Sequence, residues 1–226
     1  GMPLGSIWGY KTDGLFKNVE EVEAYDVFIH ALTSAGDMKY IDIDGNKRIS
    51  AGSGTMEDHG DLVHLGDDNP RYSFGVNLAF SWKGFDFSSF LQGIGKRVFF
   101  VNPSQMIPVR TQSKMPYKEH LDYWTPDNLD AFWPRLYVEG THSYWESDYW
   151  LQNGAYIRLK NIELGYTLPA SVSQRAFMSK ARIYVAGQDL WEATKTLSFY
   201  DPEYPNNAGN IYPFYRTISL GLNITF

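Results

Sequence analysis

The last ten residues constrain this chain more than any others: Thr217-Ile-Ser-Leu-Gly-Leu-Asn-Ile-Thr-Phe226. Ile218, Leu220, Leu222, Ile224 and Phe226 alternate with Thr217, Ser219, Gly221, Asn223 and Thr225. Successive side chains of a strand point to opposite faces, so this stretch has one apolar face and one small or polar face. At 43% hydrophobic residues, a window like this arises by chance roughly once per thousand, and the pattern alone decides little. Its place says more. The apolar series runs to Phe226, and the closing strand of a membrane barrel faces lipid and must stay paired to its end. A soluble sandwich has no such need. On this strand alone, soluble β-protein and membrane barrel stand level.

Charge and composition narrow the partners. A net charge of −6 and a pI near 5.3 argue against nucleic acid or an anionic lipid surface. The chain has no cysteine, which removes disulfides and thiolate metal sites. Aromatic residues make up 16%, a level that suits the girdles of barrels and also carbohydrate-binding surfaces. No apolar run approaches the ~18 residues of a membrane helix. The start, Gly1-Met-Pro-Leu-Gly-Ser-Ile-Trp8, lacks the basic and apolar regions of a signal peptide. Gly1 reads as an expression scar, and an exported protein would be represented here by a piece of a longer chain.

Taken in order, residues 4–16 read as a strand. Residues 18–32 read as a short amphipathic helix with Asn18 as its cap. In 71–82, Tyr72, Phe74, Val76, Leu78, Phe80 and Trp82 form one face; Ser73, Gly75, Asn77, Ala79 and Ser81 form the other. Lys83-Gly84 is a two-residue turn, and a return strand runs from Phe85 to about Ile94 with Asp86 on the polar face. Further strands are expected at 155–168, 181–191 and from about 214. The prediction is an all-β chain, a single segment over 1–226: an antiparallel meander of about six long strands, a section of a transmembrane β-barrel. Long loops fall at 17–70, 96–154 and 192–213, and short connections at 83–84 and 169–180. Outer-membrane barrels sort their connections this way, with short turns at one end and long loops at the other. That moves the balance to the barrel.

Several stretches then resemble one family. They are Gly9-Tyr-Lys-Thr-Asp-Gly-Leu-Phe16, Gly36-Asp-Met-Lys-Tyr-Ile-Asp42 with Asp44-Gly-Asn46, Asn69-Pro-Arg-Tyr72, Trp82-Lys-Gly-Phe-Asp86, Trp133-Pro-Arg-Leu136, the run from Tyr149 to Pro169, Asp201-Pro-Glu203 and the closing Gly221-Leu-Asn-Ile-Thr-Phe226. In this order they resemble the C-terminal portion of SusC/RagA-type TonB-linked outer-membrane transporters. The resemblance implies a nutrient transporter for oligosaccharides or peptides, capped by a SusD-like surface lipoprotein and energised by TonB through an N-terminal plug absent here. The feature around Leu222, Ile224 and Phe226 resembles the signal read by the barrel-insertion machinery.

Candidate site residues are few. Asp42, Asp44 and Asn46 have the alternate-residue oxygen spacing of a calcium loop. Position 12 of that loop is Ser53 rather than a bidentate Glu, so an Asp/Gly turn closed by side-chain hydrogen bonds is the competing reading. Trp124, Trp133, Trp145 and Trp150 are candidates for stacking on sugar rings, against the plainer role of holding long loops together. Arg158 and Lys160 are expected to form salt bridges. For catalysis, His30, His59, His64, His120 and His142 form no metal-spaced pair, and His-Glu-x-x-His and Gly-x-Ser-x-Gly are absent. The expectation is no enzyme. The rivals are a soluble carbohydrate-binding β-domain and a β-rich glycoside hydrolase. Isolated, a section of barrel is expected to self-associate or to need detergent.

Overall fold

A computed structural model describes residues 3–110, 115–138, 141–198, 200–204 and 215–226. It divides the chain into two compact units, interleaved in sequence. The distal part of the 192–213 loop, and the expected strand start near 214, lie outside the described residues.

One unit (Pro70–Arg97, Asn153–Glu203, Ile211–Phe226) is built on a single five-stranded sheet. Its strands are β1 (Tyr72–Trp82), β2 (Phe85–Gly95), β3 (Tyr156–Thr167), β4 (Lys180–Thr194) and β5 (Thr217–Thr225). They lie side by side in sequence order, each antiparallel to the next. This is the expected meander. β1 and β2 are joined by Lys83 and Gly84, with φ of 47° and 88°. Positive φ at both central residues is the hairpin turn whose twist matches its strands. The connection β3–β4 is also short, whereas β2–β3 and β4–β5 are long, so the long connections share one end of the sheet.

The pairing register sorts side chains onto two faces. Phe80 lies opposite Phe87, Phe87 opposite Leu164, Leu164 opposite Val185, and Val185 opposite Leu220. This row is apolar across all five strands. One residue along, Ser81, Asp86, Gly165, Tyr184 and Gly221 form the corresponding row of the other face. The apolar side chains of β1 and β5 are exposed over the length of their strands. Period-two alternation with the greasy side outward is the reverse of a sandwich and the rule in a membrane barrel.

Between Leu159 and Asn161 the alternation breaks. The register of β3 shifts there against both neighbours: Lys160 has no counterpart on β2, and Asp189 and Leu190 bulge from β4. Asp189 takes a left-handed φ of 50°. Outward side chains are therefore odd-numbered before the bulge (Ile157, Leu159) and even-numbered after it (Ile162, Leu164, Tyr166).

The other unit (Gly1–Asn69, Val98–Gln152, Tyr204–Asn210) holds three small two-stranded sheets. Ser6–Gly9 pairs with Val63–Asp67, Thr12–Leu15 with Met38–Tyr40, and Val98–Phe100 with Leu151–Asn153. The strand expected over 4–16 is thus split in two and does not join the main sheet, which has five strands rather than about six. The break falls at Tyr10, whose N–H donates to the carbonyl of Glu146 at 2.9 Å. The expected helix over 18–32 is shortened to Val19–Ala24. Asn18 caps it as predicted, accepting from the Glu21 amide at 2.8 Å. It ends because the next residues are claimed elsewhere. Tyr25 donates its hydroxyl to the carbonyl of Tyr40, and Phe28 exchanges backbone hydrogen bonds with Lys47 and Ile49.

Candidate functional site

The polar face of the sheet carries two ionic clusters. In the first, Arg182 of β4 donates from Nε to Asp86 Oδ1 of β2 at 2.9 Å, and from its terminal nitrogen to Asp86 and to Glu163 of β3. Asp86 and Arg182 are two strands apart. Between them lies Gly165, the residue opposite Asp86 in β3. A Cβ on Gly165 would stand 2.3 Å from the Arg182 guanidinium, so the missing side chain is what lets the arginine cross the strand.

In the second cluster Arg158 of β3 is buried. It binds both oxygens of Asp201 at 3.0 Å, Glu203 at 2.8 Å, and Glu192 of β4. Lys160 reaches Glu203 at 3.0 Å and Asp189 at 3.1 Å. The salt bridges expected of Arg158 and Lys160 are present. The acids that complete them lie 29 to 45 residues downstream in sequence, and no local signal pairs them with Arg158 and Lys160.

The expected ligand residues of the loops lie in the other unit. Trp124, Trp133 and Trp150 are buried, with 8%, 1% and 0% of their surface exposed. Trp133 and Trp150 pack ring to ring at 5.4 Å, Tyr144 stacks on Trp150 at 5.4 Å, and Phe132 and Tyr149 meet Trp150 edge-on. Buried rings offer no face to a sugar; they hold the long segments together. Trp145 is half-buried between Tyr10, Tyr40 and His142. Tyr149 donates to the carbonyl of Phe132 at 2.5 Å, and burial pushes its phenol up to about 12.

A second knot in this unit centres on Asp37, which is fully buried. It accepts from the Ser34 amide at 2.9 Å, Tyr137 Oη at 3.1 Å and Ser143 Oγ at 3.1 Å, and His142 Nε2 lies 3.4 Å away. Burial, with the Asp37 charge alongside, moves the Tyr137 phenol up to about 12. In the sequence Asp37 stands in the Gly36–Asp42 motif, and nothing local shows that it ties residues 34, 137 and 143 together.

At the expected calcium loop, Asp42 accepts from the amides of Gly45 and Lys47, both at 2.8 Å. Asp44 accepts from the Asn46 amide at 3.0 Å, and Asn46 Oδ1 from the Arg48 amide at 2.8 Å. Asp42 and Asp44 converge with Asp61, one oxygen of each of the three acids lying within 4.8 Å of the others, and Asn46 Nδ2 donates to Asp44 Oδ2 at 2.8 Å. Asp61 is buried and accepts from the amides of Ile43 at 2.7 Å and Ser50 at 2.8 Å. Backbone amides thus occupy these oxygens, and they close the loop as a turn would.

Leu222 and Ile224 sit on the apolar face of β5, and Phe226 follows with its ring exposed. Among the described residues no helix is long and apolar enough to cross a membrane, which says nothing about strands.

No protein-family model matches the chain. It is 27% identical over its whole length to TonB-dependent receptor P3 of Formosa agariphila, and 30% identical over 96% of its length to TonB-dependent receptor P26 of the same organism. The chain spans 22% of each of these relatives. Its fold is similar to three structures of RagAB, described as a peptide transporter, a peptide importer in an open-open state and a peptide importer in a closed-closed state. TM-scores are 0.65, 0.65 and 0.62, at 22%, 20% and 21% identity. Each covers 98% of this chain and 22% or 23% of the solved one. Both relatives are named as receptors.

Proposed function

We propose that this chain, a C-terminal portion of a SusC/RagA-type TonB-dependent receptor of the Gram-negative outer membrane, supplies five adjacent wall strands to a barrel that imports an oligomeric nutrient. The observation that carries the reading is the division of the sheet. One face is apolar in a continuous row across β1 to β5, and the other holds Asp86, Glu163, Arg182, Arg158 and Glu192 in ion pairs. Lipid tolerates the first face and water the second. The residues here bind and shape; they carry out no bond chemistry. Peptides are the first cargo to test, because the RagAB neighbours are named as peptide transporters. With three of the four loop tryptophans buried, oligosaccharides have lost the side chains that favoured them. The resemblance adds a SusD-like lipoprotein cap and energy from TonB.

The experiment is deletion of the full-length gene, with growth measured on defined peptide mixtures and on oligosaccharide pools as sole nutrient. Loss of growth on one class, restored by the gene but not in a strain lacking TonB, supports the proposal. Undiminished growth on both classes overturns it.

A further inference from the structure

On leaving β4 the chain comes back to the polar face of its own sheet. Tyr200 is 4% exposed and Pro202 less than 2%, so this stretch is docked. Asp201 Oδ1 accepts from the Glu203 amide at 2.8 Å, which curls the backbone and turns both carboxylates the same way. Both then meet cations of β3: Asp201 and Glu203 on Arg158, and Glu203 again on Lys160. The Tyr156 ring stands 5.7 Å from the guanidinium. Arg158 and Lys160 lie near the start of β3, the end of the sheet where the long connections attach.

We propose that Tyr200–Glu203 is a strap fastened across the polar side of the sheet at its long-loop end, held shut by Arg158 and Lys160 and narrowing the passage there. The proposal rests on the reading that this face lines the lumen of a barrel. The charges make the fastening all-or-none. Four carboxylates (Asp189, Glu192, Asp201, Glu203) share two cations. Three of those acids converge on the single guanidinium, which has the donors to satisfy them at once. Without it the same three carboxylates face one another, and like charges packed this closely repel. Only the strap, which is no part of the ladder, is free to leave. One arginine therefore decides whether the segment lies on the wall or stands away from it.

The test is hydrogen–deuterium exchange of the full-length receptor in detergent, read on peptides covering 200–203 and 156–167. In the unsubstituted receptor the strap is protected. Arg158→Met is expected to speed exchange of the strap by at least about tenfold, while 156–167 stays protected and the barrel stays heat-modifiable. Should Arg158→Met not assemble, Glu203→Gln leaves the strand untouched and keeps the Asp201 cap, and it too is expected to speed strap exchange. Unchanged strap exchange in the variants that assemble overturns the proposal. An unsubstituted receptor that is not heat-modifiable overturns the barrel reading instead, and with it the strap's place in a lumen.

Discussion

Arg182 reaches Asp86 by passing over Gly165, and the three residues lie on three adjacent strands of one sheet. A glycine in mid-strand weakens the strand, and here its missing side chain makes room for a charge-assisted bond across two strand spacings. Gly165→Val is expected to push the guanidinium away and leave Asp86 without its cation, at a loss of about 0.2–1 kcal/mol for this part-exposed pair. Reversible urea unfolding in detergent or lipid measures it. Asp86→Asn in the Gly165→Val background should then cost little more. Additive losses would show that Gly165 does not act through this pair.

The two faces of β1 make opposite demands. Leu78 is on the apolar face and Asn77 on the polar one. Leu78→Arg should destabilise the folded barrel by ~2–4 kcal/mol if it lies near the bilayer midplane, and Asn77→Arg should be tolerated. The same unfolding assay reads both, and equal losses would mean the faces are assigned the wrong way round.

Phe226 continues the apolar row of β5 past its last paired residue. Phe226→Ala, or removal of 217–226, is expected to lower the outer-membrane level of the full-length receptor sharply. Heat-modifiable receptor at normal abundance in membranes carrying the deletion would refute this.

Backbone amides close the Asp42–Lys47 turn. Chelation should accordingly leave thermal stability where it is, and Asp42→Ala should lower the melting temperature slightly through lost hydrogen bonds. A fall in melting temperature on adding EDTA, reversed by calcium, would instead put an ion among Asp42, Asp44 and Asp61.

Alone in water, the chain presents an exposed apolar face and two sheet edges, β1 and β5, whose outer backbone groups have no strand beside them among the described residues. Self-association is expected, growing with concentration and suppressed by detergent. Light scattering over a dilution series checks it, and a monodisperse monomer throughout would contradict it.

What could be read in advance follows physical range. The alternation of 72–82 and 217–226 depends on neighbours two residues away, and it gave strand, face and meander together. Lys83-Gly84 announced its turn because few pairs accept positive φ twice. The bulge at Lys160 went unseen because it needs the facing residues Asp189 and Leu190, and no periodicity within β3 encodes them. Tryptophans of the long loops could be read as binders because an indole in a loop has the same composition whether buried or bare. Only Tyr144, Phe132 and Tyr149 packing on Trp150 distinguish the two. The helix after Asn18 was overestimated for a related reason: its amphipathic spacing was real, but Phe28 had a backbone appointment with Lys47 and Ile49.

The paired bulges give the sheet something like a reading frame. Across Lys160 the residues of β3 on the apolar face change parity, from Ile157 and Leu159 to Ile162 and Leu164, while β4 keeps odd-numbered residues on that face on both sides of Asp189 and Leu190. A single-residue deletion in β3 away from the bulge would turn every side chain on one side of the cut to the wrong face, exchanging the places of Glu163 and Ile162. A one-residue insertion elsewhere in β3 would restore the phase, whereas a deletion in β4 would put that strand out of phase as well. Descendants of this chain can therefore gain or lose residues freely in their long connections, but within the wall they can do so only in compensated steps.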